Sequence, residues 1–525
     1  MSAVAVAGPS ARAERITAFL DRAVESVRRH ERAWLLIIIA VFLLIALYQC
    51  HVTPFWFDEF FTLFISRLPS AGAMLRSIPA DGQPPLQYFL THWLIAAFGQ
   101  SELALRLPEL LAYAGTGFLT WRIARTHGNA AQALFATALG LGGIQADLAY
   151  TARPYELLCF FTAMAFACWQ KACLRQQRRF LPLCGLALAL AGAILSHHFG
   201  IVHVGIFLLA GETVRLLHRR RVDLPLLLAI ALGMLPLAIT LPLAHQSALV
   251  LGNAIRHSHN FWARPSPGDL LAYFYMVAPV PLVVAVMLAS GRKPRSGPSA
   301  TAAPPAVPVH EWAAAAALSL LLPFQILIAV VATGYSQSRY AVSCSLGLAL
   351  LAAWGLPRVR RFRAAIESAM ALSVLGMLIP ALGQLAFAQL QHPAWREVRA
   401  ATGVSPALAR APADLPIVVA NAFDYPPNWW YASPPLRQQM IYLSDPQNAI
   451  RQTDFLPELT LLADRADAPM PTASYEDFIA GHSHFLLFGS GATRLNWTYF
   501  RLKNTSWKLT LISASDDGVL FRVDR

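Results

Sequence analysis

The chain has 525 residues, of which 56% are hydrophobic and only 14% are charged, and its mean hydropathy is +0.47. Because soluble domains carry roughly 25% charged residues, most of this chain is expected to lie in a lipid bilayer. The net charge of +13 does not indicate a nucleic-acid partner, since Arg and Lys collect in short clusters between apolar stretches and no nucleic-acid-binding module occurs in the sequence.

An N-terminal segment, residues 1–32, precedes the first apolar stretch at 33–48. Its pattern is typical of a basic amphipathic helix on the cytoplasmic membrane surface. No cleavage site follows the first apolar stretch, so we predict an uncleaved anchor with its N-terminus inside. The apolar residues that recur at helical spacing among arginines are Ile16, Phe19, Leu20, Val24 and Val27.

Two adjacent carboxylates, Asp58 and Glu59, follow the first apolar stretch within Phe-Trp-Phe-Asp-Glu-Phe-Phe-Thr. Acidic side chains between aromatic residues at a membrane boundary are costly to desolvate, so we expect them to serve a purpose beyond packing. The alternative is an interfacial aromatic belt that contains two solvated acids.

The basic clusters determine the predicted topology, because Arg and Lys concentrate in cytoplasmic loops. Counting all twelve apolar stretches as spans places the first cluster, Arg122 and Arg125, on the outside. The twelve include the stretches 131–149, 224–243, 270–290 and 311–332, each predicted as a single span. The stretch 86–98 is also too short for a hydrocarbon core that needs about twenty residues. Without it, about eleven spans place every basic cluster inside, and residues 51–102 form one long external loop.

The predicted membrane domain covers residues 33–388, and a Pro- and Ala-rich cytoplasmic linker lies at 291–308. Residues 389–525 follow on the outer side. The fold class is therefore predicted to be a polytopic α-helical membrane protein with a small C-terminal α/β domain. Short β-like runs of that domain occur at 416–420, 439–443, 484–488 and 510–523, the last with Asp-Asp-Gly as a hairpin turn.

Polar residues of the predicted external turns share one side of the membrane. A carboxylate there can act as a general base, and arginines can bind a lipid phosphate and stabilise the charge that develops as it leaves. Each residue also has an ordinary alternative: arginines extend to lipid headgroups, a histidine pair forms a polar turn, and Asp147 bonds backbone amides. The shared residues are Asp58, Glu59, Asp81, Gln83, Arg106, Asp147, Arg153, Tyr155, His197, His198, Tyr335, Gln337, Arg339 and Tyr340.

Ordered motifs carry a resemblance to a known family. Phe-Asp-Glu at 57–59 is followed by Asp-Gly-Gln-Pro-Pro-Leu-Gln-Tyr at 81–88, Glu-Leu-Ala-Leu-Arg-Leu-Pro at 102–108, Ala-Arg-Pro-Tyr at 152–155 and Arg-Tyr at 339–340. In this order the motifs resemble the glycosyltransferase family 39 group. That group contains protein O-mannosyltransferases and the bacterial aminoarabinose transferases of lipid A, all of the GT-C membrane fold.

The resemblance implies a transferase that takes its sugar from a polyprenyl-phosphate-linked donor. Asp58 matches the family's catalytic acid of the first loop and Glu59 its companion, so both are predicted to be catalytic. Arg153 and Arg339 match positions expected to hold the carrier phosphate. The residues predicted to bind substrate are Asp81, Gln83, Tyr88, Arg106, Asp147, Arg153, Tyr155, His197, Arg339 and Tyr340.

One departure concerns Gln83, since related sequences often have His at this position. Gln neither ligates zinc well nor transfers a proton, so a divalent metal stays open and no metal ligand is assigned. The implied partners are the lipid-linked donor, a lipid, glycan or protein acceptor, and the bilayer. The implied location is a bacterial inner membrane, with the site and the C-terminal domain facing the periplasm.

The implied mechanism is a single displacement with inversion, in which Asp58 accepts the acceptor's proton and polyprenyl phosphate leaves against Arg153 and Arg339. The alternative function is a transporter or flippase of lipid-linked sugars, which needs polar residues near mid-membrane. Glu109 and Glu156 lie near span ends, and no inverted repeat is evident. A further alternative makes residues 421–431 of the outer domain a carbohydrate-stacking surface, although we favour a role in seating that domain.

Overall fold

The computed structural model describes residues 18, 21–22, 24–175, 177–257, 263–291, 306–359, 365–390, 404–453, 470–489, 496–516 and 518–525. Most of the predicted N-terminal helix, nearly all of the predicted linker and residue Asp517 of the predicted hairpin turn lie outside these residues. Of the N-terminal helix, Val24 and Val27 are described, and both are buried against the helical bundle.

The N-terminal two thirds of the described chain is a bundle of helices around one large apolar core. The helices up to residue 257 are α1 (Glu31–Val52), α2 (Phe57–Ser66), α3 (Ala71–Asp81), α4 (Leu86–Phe98), α5 (Glu102–His127), α6 (Ala130–Leu141), α7 (Ile144–Leu148), α8 (Tyr155–Leu174), α9 (Phe180–Ser196), α10 (Gly200–Arg219), α11 (Leu224–Gly233) and α12 (Leu237–His257). Those that follow are α13 (Tyr273–Met276), α14 (Pro279–Gly291), α15 (Val309–Ser319), α16 (Leu321–Ile328), α17 (Cys344–Gly355) and α18 (Ile366–Leu390).

Several of these helices are long and apolar enough to cross a membrane. Four meet both criteria, and the number rises to seven if each of three bent helix pairs counts as one span. Three shorter apolar helices, α6, α9 and α17, and the 26-residue helix α5 lie among them. The polytopic helical fold is confirmed, whereas the number of eleven spans stays a prediction.

The long loop predicted at 51–102 is helical for most of its length. Helix α4 has 13 residues and is about 20 Å long, well short of a hydrocarbon core of about 30 Å. Its Trp93 and Phe98 are exposed, as expected for a helix that does not cross the bundle core. Helices α2 and α3 precede it, and α2 carries the two adjacent carboxylates in its first turn.

The stretch 131–149, predicted as one span, is divided between α6 and α7. The division occurs at Gly142 and Gly143, where another segment of the chain crosses. The backbone N–H of Ala278 donates to the carbonyl of Leu139, which satisfies a group at the end of α6. A Cβ added at Gly143 would lie 2.6 Å from the Cα of Val277, so only glycine permits this crossing.

Three other predicted single spans are bent rather than straight. The pair α11 and α12 bends by 42°, the pair α15 and α16 by 51°, and the segment that ends in α14 by 68°. Proline lies at or near each bend, at positions 236, 323 and 279. Because proline lacks an N–H group and clashes with the preceding turn, these bends have a local cause.

The C-terminal part of the chain is a mixed six-stranded sheet with helices. Its strands β1 (Ile417–Val419), β2 (Met440–Ser444), β4 (His484–Gly489), β5 (Lys508–Ser515) and β6 (Gly518–Asp524) occur where the sequence predicts them. A short edge strand, β3 (Thr472–Ser474), was not predicted. The order is β3-β2-β1-β4-β6-β5, with the first four strands parallel. The helices of this part are α19 (Tyr425–Tyr431), α20 (Pro434–Gln439), α21 (Pro446–Thr453), α22 (Tyr475–Gly481) and α23 (Trp497–Lys503).

The two faces of this sheet pack against different parts of the protein. Residues such as Val418 and Leu487 pack with Phe478 and Trp497 of the domain's own helices. The opposite face, which includes Val419 and Phe488, shares a core with α2 and α5 of the helical bundle. Since side chains alternate along a strand, one short sheet can join both layers.

The crossing at Gly143 yields a testable prediction. We expect Gly143→Ala to destabilise the protein by about 1–3 kcal/mol, because the methyl group overlaps the backbone of residues 276–277. The measurement is the thermal unfolding midpoint of the purified protein in detergent. Gly205→Ala is the matched control, since nothing lies within 4 Å of a Cβ there. Equal midpoints for the two variants would contradict the close crossing.

Candidate active site

Asp58 lies in the first turn of α2 with its carboxylate near a surface of the bundle. Its Oδ2 accepts a hydrogen bond of 3.1 Å from Nη2 of Arg339. The two side chains are 23% and 20% exposed, so a substrate can reach them. The other carboxylate oxygen, Oδ1, has no hydrogen bond to the described residues.

Glu59, the next residue, has the opposite environment. Its side chain is fully buried and forms a bidentate ion pair with Arg106, with distances of 2.8 and 2.7 Å. It also accepts from the backbone N–H groups of Ala152 and Trp56. Both oxygens of Glu59 are thus occupied and shielded from solvent, and the catalytic role predicted for it stays a prediction.

Arg106 is equally occupied. Besides its bonds to Glu59, it donates to the carbonyl groups of Cys50, Thr53 and Pro54. A guanidinium has five N–H groups, and all five are used. Arg106 thus stabilises the loop that precedes α2, and the substrate-binding role predicted for it stays a prediction.

Arg153, just before α8, forms hydrogen bonds with two other segments of the chain, at Asp58 and at Asp81. Its Nη1 donates to the backbone carbonyl of Asp58 at 3.0 Å and to both carboxylate oxygens of Asp81 at 2.9 and 2.7 Å. The hydroxyl of Tyr88 also donates to Asp81. Arg153 and Asp81 are both 4% exposed as side chains, so this ion pair is nearly dry.

Aromatic rings surround the guanidinium of Arg339. Its Cζ lies 5.0 Å from the ring centroid of Trp56, 5.5 Å from that of Tyr155 and 5.8 Å from that of Tyr340. The ring of His197 is 5.8 Å from Tyr155 and 5.3 Å from Tyr340. These contacts hold a cation in a fixed orientation at little entropic cost.

Several buried polar atoms of this cluster have no hydrogen-bond partner among the described residues. Because such atoms are rare in folded proteins, their concentration at one place indicates a ligand site. Two of them belong to the arginines described above, and each can donate to an anion. The atoms are Nε of Arg153, Nε of Arg339, the hydroxyl of Tyr155, Nε2 of His197 and Oε1 of Gln83.

His197 has a defined protonation pattern. Its Nδ1 accepts from the backbone N–H of Phe199, so Nε2 carries the hydrogen. Burial, reinforced by neighbouring His198, lowers the pKa of His197 well below its ordinary value, and burial lowers the pKa of His198 to about 4. Both rings are therefore neutral at pH 7, and His197 offers a neutral donor that does not titrate near that pH.

Asp147 does not join the cluster. It is exposed on α7 and makes no hydrogen bond or ion pair with the described residues. The alternative of a bond to backbone amides is likewise not observed for it. Gln83, two residues after Asp81, is buried, and its amide oxygen has no hydrogen-bond partner among the described residues.

A metal site has little support from the charge pattern. The described residues contain no group of three or more His, Cys, Asp or Glu side chains suited to hold an ion. The carboxylates of Asp58 and Asp81 each face an arginine instead, and a cation would have to compete with that guanidinium. We therefore derive no step through a metal.

Sequence reasoning overlooked two groups of residues that support the site. Glu109 of α5 accepts from the backbone N–H groups of Glu156 and Leu157, which caps the first turn of α8 directly after Arg153. The hydroxyl of Tyr431 contacts the loop before α2. The sequence showed Glu109 only as a charge near a span end and Tyr431 only as a member of the aromatic segment 421–431, and neither pattern indicated these contacts.

Comparisons with known proteins concern the sequence and the fold. Residues 82–241 match the family model described as dolichyl-phosphate-mannose-protein mannosyltransferase. The fold is similar to that of ArnT from Cupriavidus metallidurans in its apo crystal structure, with a TM-score of 0.56, 14% identity, and coverage of 94% of this chain and 98% of ArnT.

A second crystal structure, of ArnT bound to undecaprenyl phosphate, matches with a TM-score of 0.54, 15% identity, and coverage of 93% of this chain and 98% of ArnT. No curated protein sequence matches significantly. The chain thus has the GT-C fold, and the predicted resemblance to glycosyltransferase family 39 is confirmed.

The buried ion pair yields a second prediction. Arg106→Met leaves the buried charge of Glu59 without its cation and three carbonyl groups without a donor, so we expect a loss of about 3–5 kcal/mol of stability. The double variant Glu59→Leu/Arg106→Met should recover only part of this loss, because the carbonyl groups remain unpaired. Thermal unfolding in detergent measures both effects.

Arg125→Met serves as the control, since Arg125 forms a half-exposed ion pair with Glu31 and such pairs contribute only about 0–1 kcal/mol. Full recovery of stability in the double variant would show that the bonds to the carbonyl groups contribute little.

Proposed function

We propose that this GT-C membrane protein is a glycosyltransferase that moves a sugar from a polyprenyl-phosphate-linked donor to a hydroxyl of a lipid, glycan or protein. The observation that carries the proposal is a partly exposed carboxylate, Asp58, held next to two arginines with unpaired Nε–H groups. Such a reaction needs a base for the acceptor hydroxyl and positive charge for the departing phosphate, and this site has both at one place.

Asp58 is proposed as the general base. Its Oδ2 is oriented by Arg339, while Oδ1 makes no bond to the described residues and points to no competing partner. An acceptor hydroxyl that donates to Oδ1 can lose its proton to Asp58 as its oxygen attacks the anomeric carbon. The neighbouring Glu59 acts on this step only indirectly, by fixing the turn on which Asp58 lies.

Arg153 and Arg339 are proposed to bind the carrier phosphate. Both are preorganised, Arg153 by Asp81 and the carbonyl of Asp58, and Arg339 by Asp58 and three aromatic rings. As the bond between sugar and phosphate breaks, negative charge grows on the phosphate, and fixed guanidinium groups stabilise it without reorganisation. The structure of ArnT with undecaprenyl phosphate supports a carrier of this chemical class.

The neutral residues around the arginines are proposed to bind the sugar. Tyr155 and Tyr340 offer ring surfaces, and Nε2–H of His197 and the hydroxyl of Tyr155 are donors that lack a partner among the described residues. Tyr88 supports the site through Asp81, and the adjacent Gln83 offers its amide.

The proposed reaction is a single displacement that inverts the anomeric carbon. The acceptor oxygen forms the new glycosidic bond, its proton passes to Asp58, and polyprenyl phosphate leaves with the electron pair of the broken bond. A phosphate monoester leaves without prior protonation, so no dedicated general acid is needed. We further propose that the site faces the periplasm of a bacterial inner membrane, in accord with the basic loops of the opposite side.

The role of Asp58 can be tested by its amide variant. We expect Asp58→Asn to lower turnover by roughly 10²–10⁴-fold, because the amide cannot accept the proton. The measurement is release of free polyprenyl phosphate by purified protein from a total lipid extract of the host. Asp414→Asn, at an exposed position of the C-terminal domain, is the matched control and should retain full activity.

Appreciable turnover by Asp58→Asn would exclude Asp58 as the base. No release by the wild type, even with added acceptors, would contradict the transferase and favour transport of lipid-linked sugars.

The role of Arg339 predicts a different kinetic change. We expect Arg339→Lys to raise the half-saturating donor concentration at least tenfold, since an ammonium group loses both the bidentate geometry and the ring contacts. Competition by free polyprenyl phosphate should weaken in parallel. Unchanged donor saturation and unchanged competition would argue against phosphate binding by Arg339.

A further inference from the structure

A tyrosine of the C-terminal domain contacts the loop that leads to Asp58. The hydroxyl of Tyr431, at the end of α19, accepts a hydrogen bond of 2.8 Å from the backbone N–H of Phe55. The same hydroxyl donates to Oε1 of Glu102, also at 2.8 Å. One oxygen therefore joins the C-terminal domain, the loop and the start of α5.

The two hydrogen bonds of the Tyr431 hydroxyl, called the Tyr431 bridge below, hold the loop close to Asp58. Phe55 is three residues before Asp58, and the carbonyl groups of its neighbours Thr53 and Pro54 accept hydrogen bonds from Arg106. The ring of Phe55 lies between the two supports, 5.4 Å from Cζ of Arg106 and 6.4 Å from the ring of Tyr431. The loop is thus fixed from both sides directly before the turn that carries Asp58.

Ring contacts extend the same interface past Asp58. Phe57 meets Phe423 at a centroid distance of 4.5 Å, and Phe60 meets Trp430 at 6.2 Å. Phe55 and Phe60 are buried in one core with Val419 and Phe488 of the sheet. These ring contacts would hold the C-terminal domain in place without the hydroxyl of Tyr431. The hydroxyl serves only the hydrogen bonds to the N–H of Phe55 and the carboxylate of Glu102.

We propose that Tyr431 is a positioning residue for Asp58, so that the C-terminal domain completes the active site from outside the membrane domain. This inference rests on the proposed function, because it concerns the placement of the base in that reaction. Tyr431 does not touch the substrate; it acts through the backbone of Phe55. Loss of its hydroxyl lets the loop move while the ring, and with it the packing of the two domains, is kept.

The test compares Tyr431→Phe with Tyr425→Phe in the full-length protein purified in detergent. Tyr425 lies on the same short helix and donates its hydroxyl to the carbonyl of Pro471 within the C-terminal domain. Tyr425 is buried and Tyr431 is partly buried, and each variant loses one hydrogen-bonded hydroxyl, but only Tyr431→Phe removes a bond to the loop before Asp58.

The first readout is hydrogen–deuterium exchange of peptides that cover residues 50–60, which does not depend on activity. We expect Tyr431→Phe to speed exchange in these peptides and Tyr425→Phe to leave it unchanged. Unchanged exchange in Tyr431→Phe would overturn the proposal, because the Phe55 N–H would then need no acceptor from the C-terminal domain.

The second readout is the release of polyprenyl phosphate as a function of the concentration of host lipid extract. A displacement of the base of about 1 Å can lower turnover up to roughly 10²-fold. We expect Tyr431→Phe to lower maximal turnover at least tenfold with a half-saturating concentration within twofold of wild type. Tyr425→Phe should match the wild type in both.

The two readouts separate the possible failures. Faster exchange with normal turnover in Tyr431→Phe would overturn the positioning role and leave the bridge as a structural contact. A rise only in the half-saturating concentration would also overturn it, since that result indicates altered donor binding. No release by the wild type would contradict the proposed function, while exchange would still decide whether the bridge holds the loop.

Discussion

The buried ion pair of Glu59 and Arg106 is the interaction on which the arrangement of the site depends. Two charges removed from water are stable only when their remaining hydrogen-bonding groups are satisfied. Here the remaining donors of Arg106 are satisfied by the carbonyl group of Cys50 at the end of α1 and by those of Thr53 and Pro54 in the loop after it. The remaining acceptor capacity of Glu59 is satisfied by the N–H groups of Trp56 and Ala152. The ion pair thereby fixes the loop before α2 and the segment before α8 relative to α5.

The ion pair of Glu59 and Arg106 explains why the two neighbouring carboxylates, Asp58 and Glu59, have different environments. Glu59 points into the protein because Arg106 lies there, and Asp58, one residue earlier on the same helical turn, is directed to another side and meets Arg339. Ala152, held by Glu59, is followed immediately by Arg153, whose guanidinium binds the backbone of Asp58 and the carboxylate of Asp81. A structural ion pair thus places a pair of arginines and a carboxylate with unused hydrogen-bonding capacity at one surface.

The helical bundle and the C-terminal sheet share an extensive interface. One face of the short strands shares its apolar core with α2, and Tyr431 joins the same region through hydrogen bonds. Residues 421–431 therefore pack against the helical bundle, as the seating interpretation predicts: Trp429 is buried, and Trp430 contacts Phe60. Trp430 and Tyr431 are partly buried in the same contact, so much of their ring surface is taken up by this packing.

The sequence by itself determined the features that depend on local pattern. Apolar length predicted the helices, alternation and turn residues predicted the strands at 417–419, 440–444 and 484–489 and the final hairpin, and ordered motifs predicted that Asp58, Arg153 and Arg339 share a pocket. Only the tertiary structure decided which of two adjacent acids is open to a substrate, because burial depends on Arg106, which lies 47 residues further along the chain. The break at Gly143 likewise depends on a distant segment, and so does the bridge from Tyr431, which is separated from Phe55 by 376 residues. Such contacts have no periodicity or local composition to reveal them, since they exist only once the chain has packed.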